Sequence, residues 1–284
     1  MEIKNILVAT DFSNEAYNAL FYATQILASK PCTFHIIHIY DDFTSSTNTK
    51  NIFFLGKEEL TRLRITSQEN LTETVHKIVL DTSNKLHTYN TISSKGTIAS
   101  AISHTLDNLE IDLIVMGNKG KTGAKELFMG SNTLKVANSI MQCPILAIPR
   151  EIAYTPLDEI AFVTDFKKGC TRKTLVMLLT LASISNAAIR ILHINDGEIM
   201  TTKQEANKKL LKICLASKPH RFDAILNYAD KANVIQDYLT ENKIKMFSMS
   251  YHRRNFFERL IYEPVIMDLS IYAKIPFLIL PIQD

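Results

Sequence analysis

The amino-acid sequence predicts an α/β fold written twice, as two tandem five-stranded, mainly parallel sheets with helices on both faces. Three observations predict it. Short continuous apolar runs alternate with segments of helical period, as buried parallel strands and their crossover helices require. The chain repeats itself: Ile6-Leu7-Val8-Ala9-Thr10-Asp11-Phe12 recurs as Ile160-Ala161-Phe162-Val163-Thr164-Asp165-Phe166, and Ile36-Ile37-His38-Ile39 as Ile191-Leu192-His193-Ile194. A third landmark, Cys143-Pro144-Ile145-Leu146-Ala147-Ile148-Pro149, matches Ile275-Pro276-Phe277-Leu278-Ile279-Leu280-Pro281 in the same order. Finally, 284 residues suit two domains of roughly 140 better than one.

In the first half the strands are read at Ile6 to Ala9, Phe34 to Ile39, Asn90 to Ser93, Leu113 to Met116 and Ile145 to Ile148. Between them, Ala16, Ala19, Leu20, Ala23 and Leu27 keep a helical period, with Ser13 placed to cap it. Leu71, Val75, Ile78 and Leu86 mark a second helix, Ile98, Ala101, Ile102, Thr105 and Leu109 a third, and a fourth starts at Ser131. The Thr-, Ser- and Asn-rich stretch from Asp41 to Asn51 reads as a surface loop. The second half repeats the layout, with strands at Ile160 to Thr164, Ile189 to Ile194, Ala224 to Asn227, Lys245 to Met249 and Phe277 to Leu280. The polar stretch from Arg150 to Leu157, with Pro156, divides the chain into domains 1–150 and 151–284.

Composition narrows the function classes. A net charge of +3 does not suggest the phosphate neutralisation that nucleic-acid binding requires. The four cysteines, Cys32, Cys143, Cys170 and Cys214, include no Cys-x-x-Cys pair and read as reduced, small buried hydrophobes. The first ten residues form a strand pattern rather than a signal peptide. The longest apolar stretch, Leu175 to Ile184, is far short of the roughly 20 residues of a membrane span. A soluble cytoplasmic protein without a membrane partner is therefore expected.

The chemistry concentrates in one loop. Four of the chain's eight glycines fall between Gly117 and Gly130, directly after a buried strand. Glycine lets backbone approach an anion closely, and Gly130-Ser131 opens a helix whose first N–H groups favour a phosphate. Lys119 and Lys121 add positive charge. Gly120-Lys121-Thr122 is not a P-loop, because only two residues separate Gly117 from Gly120 where that motif needs four before its Gly-Lys. A dinucleotide fingerprint is also excluded, since the first strand is followed by Thr10-Asp11-Phe12 without glycine.

The spacing Gly117-x-x-Gly120, nine residues, then Gly130-Ser131 resembles the ATP-binding motif of the universal stress protein family. Ala9-Thr10-Asp11-Phe12-Ser13, His38-Ile39 and Cys143-Pro144-Ile145-Leu146 extend the resemblance, and both halves share it, so the chain resembles a tandem member. The resemblance implies an adenine nucleotide alpha hydrolase-like sheet of order 3-2-1-4-5 with nucleotide over the first and fourth strands. It implies that Asp11 lies near the ribose and Ile39 against adenine, with Thr10 also in the nucleotide site. Gly117, Asn118, Lys119, Gly120, Gly130, Ser131, Asn132 and Thr133 would hold ribose and phosphates, with Mg2+ on the phosphates of ATP. It also implies that the last strands pair between halves as an intramolecular pseudo-dimer; a homodimer of the whole chain is compatible with this.

The second half lacks the loop: Gly117, Gly120, Gly130 and Ser131 align with Ser250, Arg253, Glu263 and Pro264. Side chains fill the phosphate space and Glu263 repels a phosphate, so no ATP is expected there. His35 and His38, three apart on a strand, point to opposite faces and cannot chelate a metal together. The run His252 to Arg259 reads as a solvated loop. No nucleophile–histidine–acid set occurs at a defensible spacing. An ATP-binding regulator of the stress response acting on an unknown protein partner is the leading reading, with a slow ATPase and a nucleotide-free interaction scaffold as alternatives.

Overall fold

The computed structural model describes residues 2–40, 43–45, 52–54, 56–118, 131–150, 152–195, 199–226, 231–251 and 275–282. The first half runs β1 (Asn5–Thr10), α1 (Asn14–Ile26), β2 (Cys32–Tyr40), the short strands β3 (Phe43–Ser45) and β4 (Ile52–Phe54), α2 (Lys57–Thr82), β5 (His87–Lys95), α3 (Ile98–Asn108), β6 (Leu113–Asn118), α4 (Ser131–Ser139) and β7 (Ile145–Pro149). The second half runs β8 (Glu159–Thr164), α5 (Val176–Ile184), β9 (Ala188–Asn195), α6 (Thr202–Leu215), β10 (His220–Leu226), α7 (Lys231–Glu241), β11 (Phe247–Tyr251) and β12 (Phe277–Pro281).

Local chemistry sets the helix starts. Ser13 sits in extended backbone and its hydroxyl accepts the Ala16 N–H at 3.3 Å, satisfying one orphan donor of the first turn. Thr97 does the same for Ser100 in α3, and Thr201 with Gln204 forms a capping box on α6. Leu86 falls beyond α2, which ends at Ser83 in left-handed backbone, and Leu109 is the extended residue after α3. α2 begins at Lys57, earlier than its apolar period reveals, because its first turns are solvent-facing and carry no apolar stripe. The stretch read as a loop after β2 contains β3, which pairs antiparallel with β4. β10 starts at His220, ahead of the apolar run, while β11 starts at Phe247, two residues after it was expected.

All ten long strands form one sheet, in the order β10-β9-β8-β11-β12-β7-β6-β1-β2-β5. Each half supplies five parallel strands in order 3-2-1-4-5. The two five-stranded sheets expected from the sequence are thus one sheet, fused where β7 and β12 pair antiparallel, Leu146 opposite Leu278 and Ile145 opposite Ile279. The physical reason lies in the two edges. Both are apolar strands buried on both faces, and pairing them satisfies backbone groups that an open edge would leave bare.

Alternation along the strands sends side chains to two layers. Ile6, Val8, Phe34, Leu146, Phe162 and Leu278 face α1, α2, α5 and α6 in a core that runs through both halves. Leu7, Ala9, Ile37, Ile145 and Ile279 face α3, α4 and α7. His38 shares the parity of Phe34 and His35 that of Ile37, so the two imidazoles do lie on opposite faces. All four cysteines are buried and none is in a disulfide. Burial pushes the Cys143 thiol up to about 12 and Cys32 to about 11, which makes them inert packing groups.

The duplication survives in detail. His35 Nε2 lies 3.3 Å from the Asn5 amide oxygen across β2 and β1. At the equivalent positions of β9 and β8 stand the buried Arg190 and the half-buried Glu159, joined as an ion pair, with the guanidinium also donating to Asn242. One neutral hydrogen-bonded pair has its counterpart in a charged one, and the geometry between the strands is kept.

Candidate functional site at the carboxyl ends of β1 and β6

Strand order reverses at β1: β2 and β5 lie on one side, β6 and β7 on the other. β1 leads to α1 on one face and β6 to α4 on the other, which opens a crevice beyond their carboxyl ends. Open α/β sheets bind ligands at such a point.

Thr10 ends β1, nearly buried, and its hydroxyl accepts the Phe12 N–H at 3.0 Å. Asp11 is exposed. Its Oδ1 accepts the Ser13 N–H at 3.1 Å and the Ser13 hydroxyl as well, so Asp11 caps the turn that Ser13 caps onto the helix. Phe12 carries φ 61, left-handed backbone that a bulky residue rarely adopts. Its ring rests on His38, centroid to centroid 4.3 Å. Ile39 follows, half-buried, at the end of β2.

His38 is held by a chain of hydroxyls. Ser93 donates to Ser67 at 2.7 Å, and Ser67, buried in α2, lies 2.9 Å from His38 Nδ1. With the Ser67 proton directed to Nδ1, the imidazole carries its own proton on Nε2. Burial lowers the His38 pKa, the nearby Asp11 charge opposing, and burial likewise lowers those of His35 and His87. All three therefore sit below the ordinary value of 6.5. The unfolded chain binds more protons than the folded one just below that pH, so stability is expected to fall as pH drops through 6.5. Urea midpoints at about pH 7.5 and about pH 5.5 check this; equal midpoints would refute it.

Gly117 is shaped by packing. A Cβ there would lie 2.9 Å from the Glu15 carbonyl oxygen and 3.2 Å from the Ala16 nitrogen, so the first turn of α1 crosses β6 where only glycine fits. Asn118, the last residue of β6, is buried. Thr133 is buried in α4 and its hydroxyl donates to the Gly117 carbonyl at 3.4 Å. Ser131 opens α4, with Asn132 exposed in its first turn. Lys119, Gly120 and Gly130 lie outside the described residues, as do Arg253, Glu263, Pro264 and the run from His252 to Arg259. Of the candidate residues with described side chains, Asp11 and Asn132 are exposed, Ile39 is half-buried, and Thr10, Asn118 and Thr133 are buried.

Sequence reasoning missed a second brace. The Glu15 carboxylate, 11% exposed, pairs with Arg150 Nε at 2.8 Å just after β7. Asn18 donates to the carbonyls of Ile152 at 3.0 Å and Pro149 at 3.4 Å. Together they pin the start of the inter-half segment to α1. Partners more than 130 residues apart leave no local signal.

The second half keeps the turn and ties it to α6. Phe166 has φ 56 and rests on His193 at 4.5 Å, Thr164 accepts the Phe166 N–H at 3.1 Å, and Asp165 accepts the Lys167 N–H at 2.9 Å. But residues 167–171 are irregular and 172–175 a turn where the first half already has α1, and Ser250 takes the place of Gly117. From α6, Gln204 donates to the Asp165 carbonyl at 2.9 Å and Asn207 to that of Phe166 at 2.8 Å.

A doubly wound parallel sheet with a crevice at its switch point defines an α/β protein of the ligand-binding kind. The chain belongs to the universal stress protein family, whose family model matches residues 2–149. Among solved structures, a universal stress protein from Archaeoglobus fulgidus DSM 4304 is similar over 100% of this chain and 98% of its own, with a TM-score of 0.74 and 14% identity. A putative universal stress protein from Pseudomonas aeruginosa UCBPP-PA14 is similar over 98% and 93%, with a TM-score of 0.57 and 9% identity. A universal stress protein in complex with cAMP is similar over 53% of this chain and 100% of its own, with a TM-score of 0.39 and 18% identity. At these identities the first two likenesses concern the fold alone. No curated protein matches.

Proposed function

We propose that the chain is an ATP-binding regulatory protein of the stress response with one nucleotide site, in the half formed by residues 1–150. One observation carries the reading: the family's glycine spacing, Gly117-x-x-Gly120 through Gly130-Ser131, begins at the end of β6, beside β1, where strand order reverses. Asp11 would meet the ribose and Ile39 the adenine. The backbone from Gly117 to Gly120 and at Gly130 and Ser131 would hold the phosphates, with Asn118, Lys119 and Asn132 close by. Thr10 and Thr133 act from behind as supports. Mg2+ would neutralise phosphate charge, bound through the phosphates and few protein ligands.

Residues 151–284 form the second domain of this reading and bind no ATP in that manner. The Ser250 side chain and the α6 amides stand where the first half keeps Gly117 and an exposed Asp11 turn. The two domains act as an intramolecular pair through β7 and β12, and nucleotide occupancy changes loop conformation and hence contact with a protein partner.

Calorimetry with ATP and magnesium tests the proposal on wild type and on Gly120→Arg, which copies the residue of the second half into the first. One ATP per chain, lost in the variant, is the expected result. Two per chain would show that the second half is competent, and none would remove the nucleotide reading.

A further inference from the structure

We propose that the outer face of α6, with residues 167–173 beside it, is a docking surface for an anionic lipid bilayer. Residues 167–173 carry four cations and no acidic residue, and α6 carries four cations against the single acid Glu205. The whole chain has a formal charge of only +3, so the rest of it is net acidic and positive charge is concentrated here. The two segments are adjacent in space. Gly169 lies against Asn207 and Leu210 of α6, and the Cys214 thiol sits 3.7 Å from the Cys170 carbonyl. Lys168, Arg172 and Lys173 on the segment, and Lys203, Lys209 and Lys212 on the helix, are exposed and form no ion pair among the described residues.

The internal duplicate supplies a control. The first-half equivalents are residues 13–19, with no cation, and α2, with four cations against five acids. The same fold position is therefore acidic in one half and strongly basic in the other. Neither the sheet nor helix formation demands that difference.

The apolar content of the patch selects the occupant. Ile213 is 70% exposed, Leu210 39%, and Ile199, just before the helix, 94%. Aliphatic side chains among lysines suit a bilayer surface, where the branched chains enter the headgroup boundary and the ammonium groups pair with lipid phosphates and carboxylates. Single-stranded nucleic acid needs aromatic rings open for stacking. The rings nearby, Phe166 and Phe222, instead lie under the Lys208 ammonium, which is 5.9 and 5.8 Å from their centroids. Among the described residues no helix is long and apolar enough to cross a membrane, so the contact proposed is peripheral.

Co-sedimentation of the full chain with vesicles tests this. Phosphatidylcholine vesicles containing about a third phosphatidylserine are expected to bind it about tenfold or more better than pure phosphatidylcholine, and less well as salt rises. The double variant Lys209→Glu, Lys212→Glu is expected to lose about tenfold or more of that binding. Circular dichroism and unchanged ATP binding would show that its fold is intact. Ile213→Ser is expected to weaken vesicle binding several-fold at constant charge. Equal binding to both vesicle types, no binding, or full binding by the charge-reversed variant overturns the proposal. A single-stranded RNA oligonucleotide that binds more tightly than the anionic vesicles also overturns it and assigns the patch to nucleic acid.

Discussion

Replacing Leu278 with aspartate is expected to cost more than about 4 kcal/mol and to split the unfolding of the chain into separate transitions. Leu278 is fully buried in β12 opposite Leu146 of β7, at the seam where the two halves become one sheet. The substitution removes a buried aliphatic chain and places a carboxylate where no water reaches. Truncation alone, Leu278→Ala, is expected to cost about 2–5 kcal/mol, so the excess in the aspartate variant reports the buried charge. Urea denaturation followed by circular dichroism, with limited proteolysis of the partly unfolded state, makes the measurement. A single transition with an unchanged midpoint would mean that the β7–β12 contact contributes little to holding the halves together.

Gly117→Val is expected to destabilise the first half by about 1–3 kcal/mol and to abolish ATP binding at the proposed site. The new Cβ would meet the Glu15 carbonyl oxygen at 2.9 Å and its carbon at 3.1 Å. These are backbone atoms of α1 that cannot rotate away, so α1 must move off β6. The Asp11–Ser13 turn lies at the start of that helix and shifts with it. The carbonyl of Gly117, which Thr133 holds, moves too. Thermal denaturation and calorimetry on the same preparation separate the two effects. Wild-type stability with lost ATP binding would assign Gly117 to the ligand alone. Wild-type behaviour in both would contradict the packing described.

The ten long strands and the helices of the first half were legible because their signals are local. Ser13 as a helix cap, the apolar runs of β1, β2, β6 and β7, and the start of α4 at Ser131 each depend on a few neighbouring residues. Elements whose exposed faces dominate were less legible. The first turns of α2 and the first residues of β10 face solvent and show no apolar period. The candidate site was legible as a glycine spacing but not as geometry. Nothing local distinguishes Thr133, turned inward onto Gly117, from Asn132, turned out to solvent, and nothing announces the left-handed backbone of Phe12 except its recurrence at Phe166.

The sequence by itself determined that this chain is a duplicated α/β protein, where its long strands and the helices of its first half lie, and which half carries the glycine loop. These follow from periodicity, from capping and turn chemistry, and from repetition, all of which act over a few residues. Only the tertiary structure decided the antiparallel register in which β7 meets β12, that Gly117 is needed by α1 as much as by any ligand, that Glu15 and Arg150 fasten the inter-half segment, and that α6 closes over the Asp165 turn. Each depends on residues far apart in the chain meeting at van der Waals or hydrogen-bond distance. Such contacts are fixed by the packing of whole elements, and no short stretch of sequence records them.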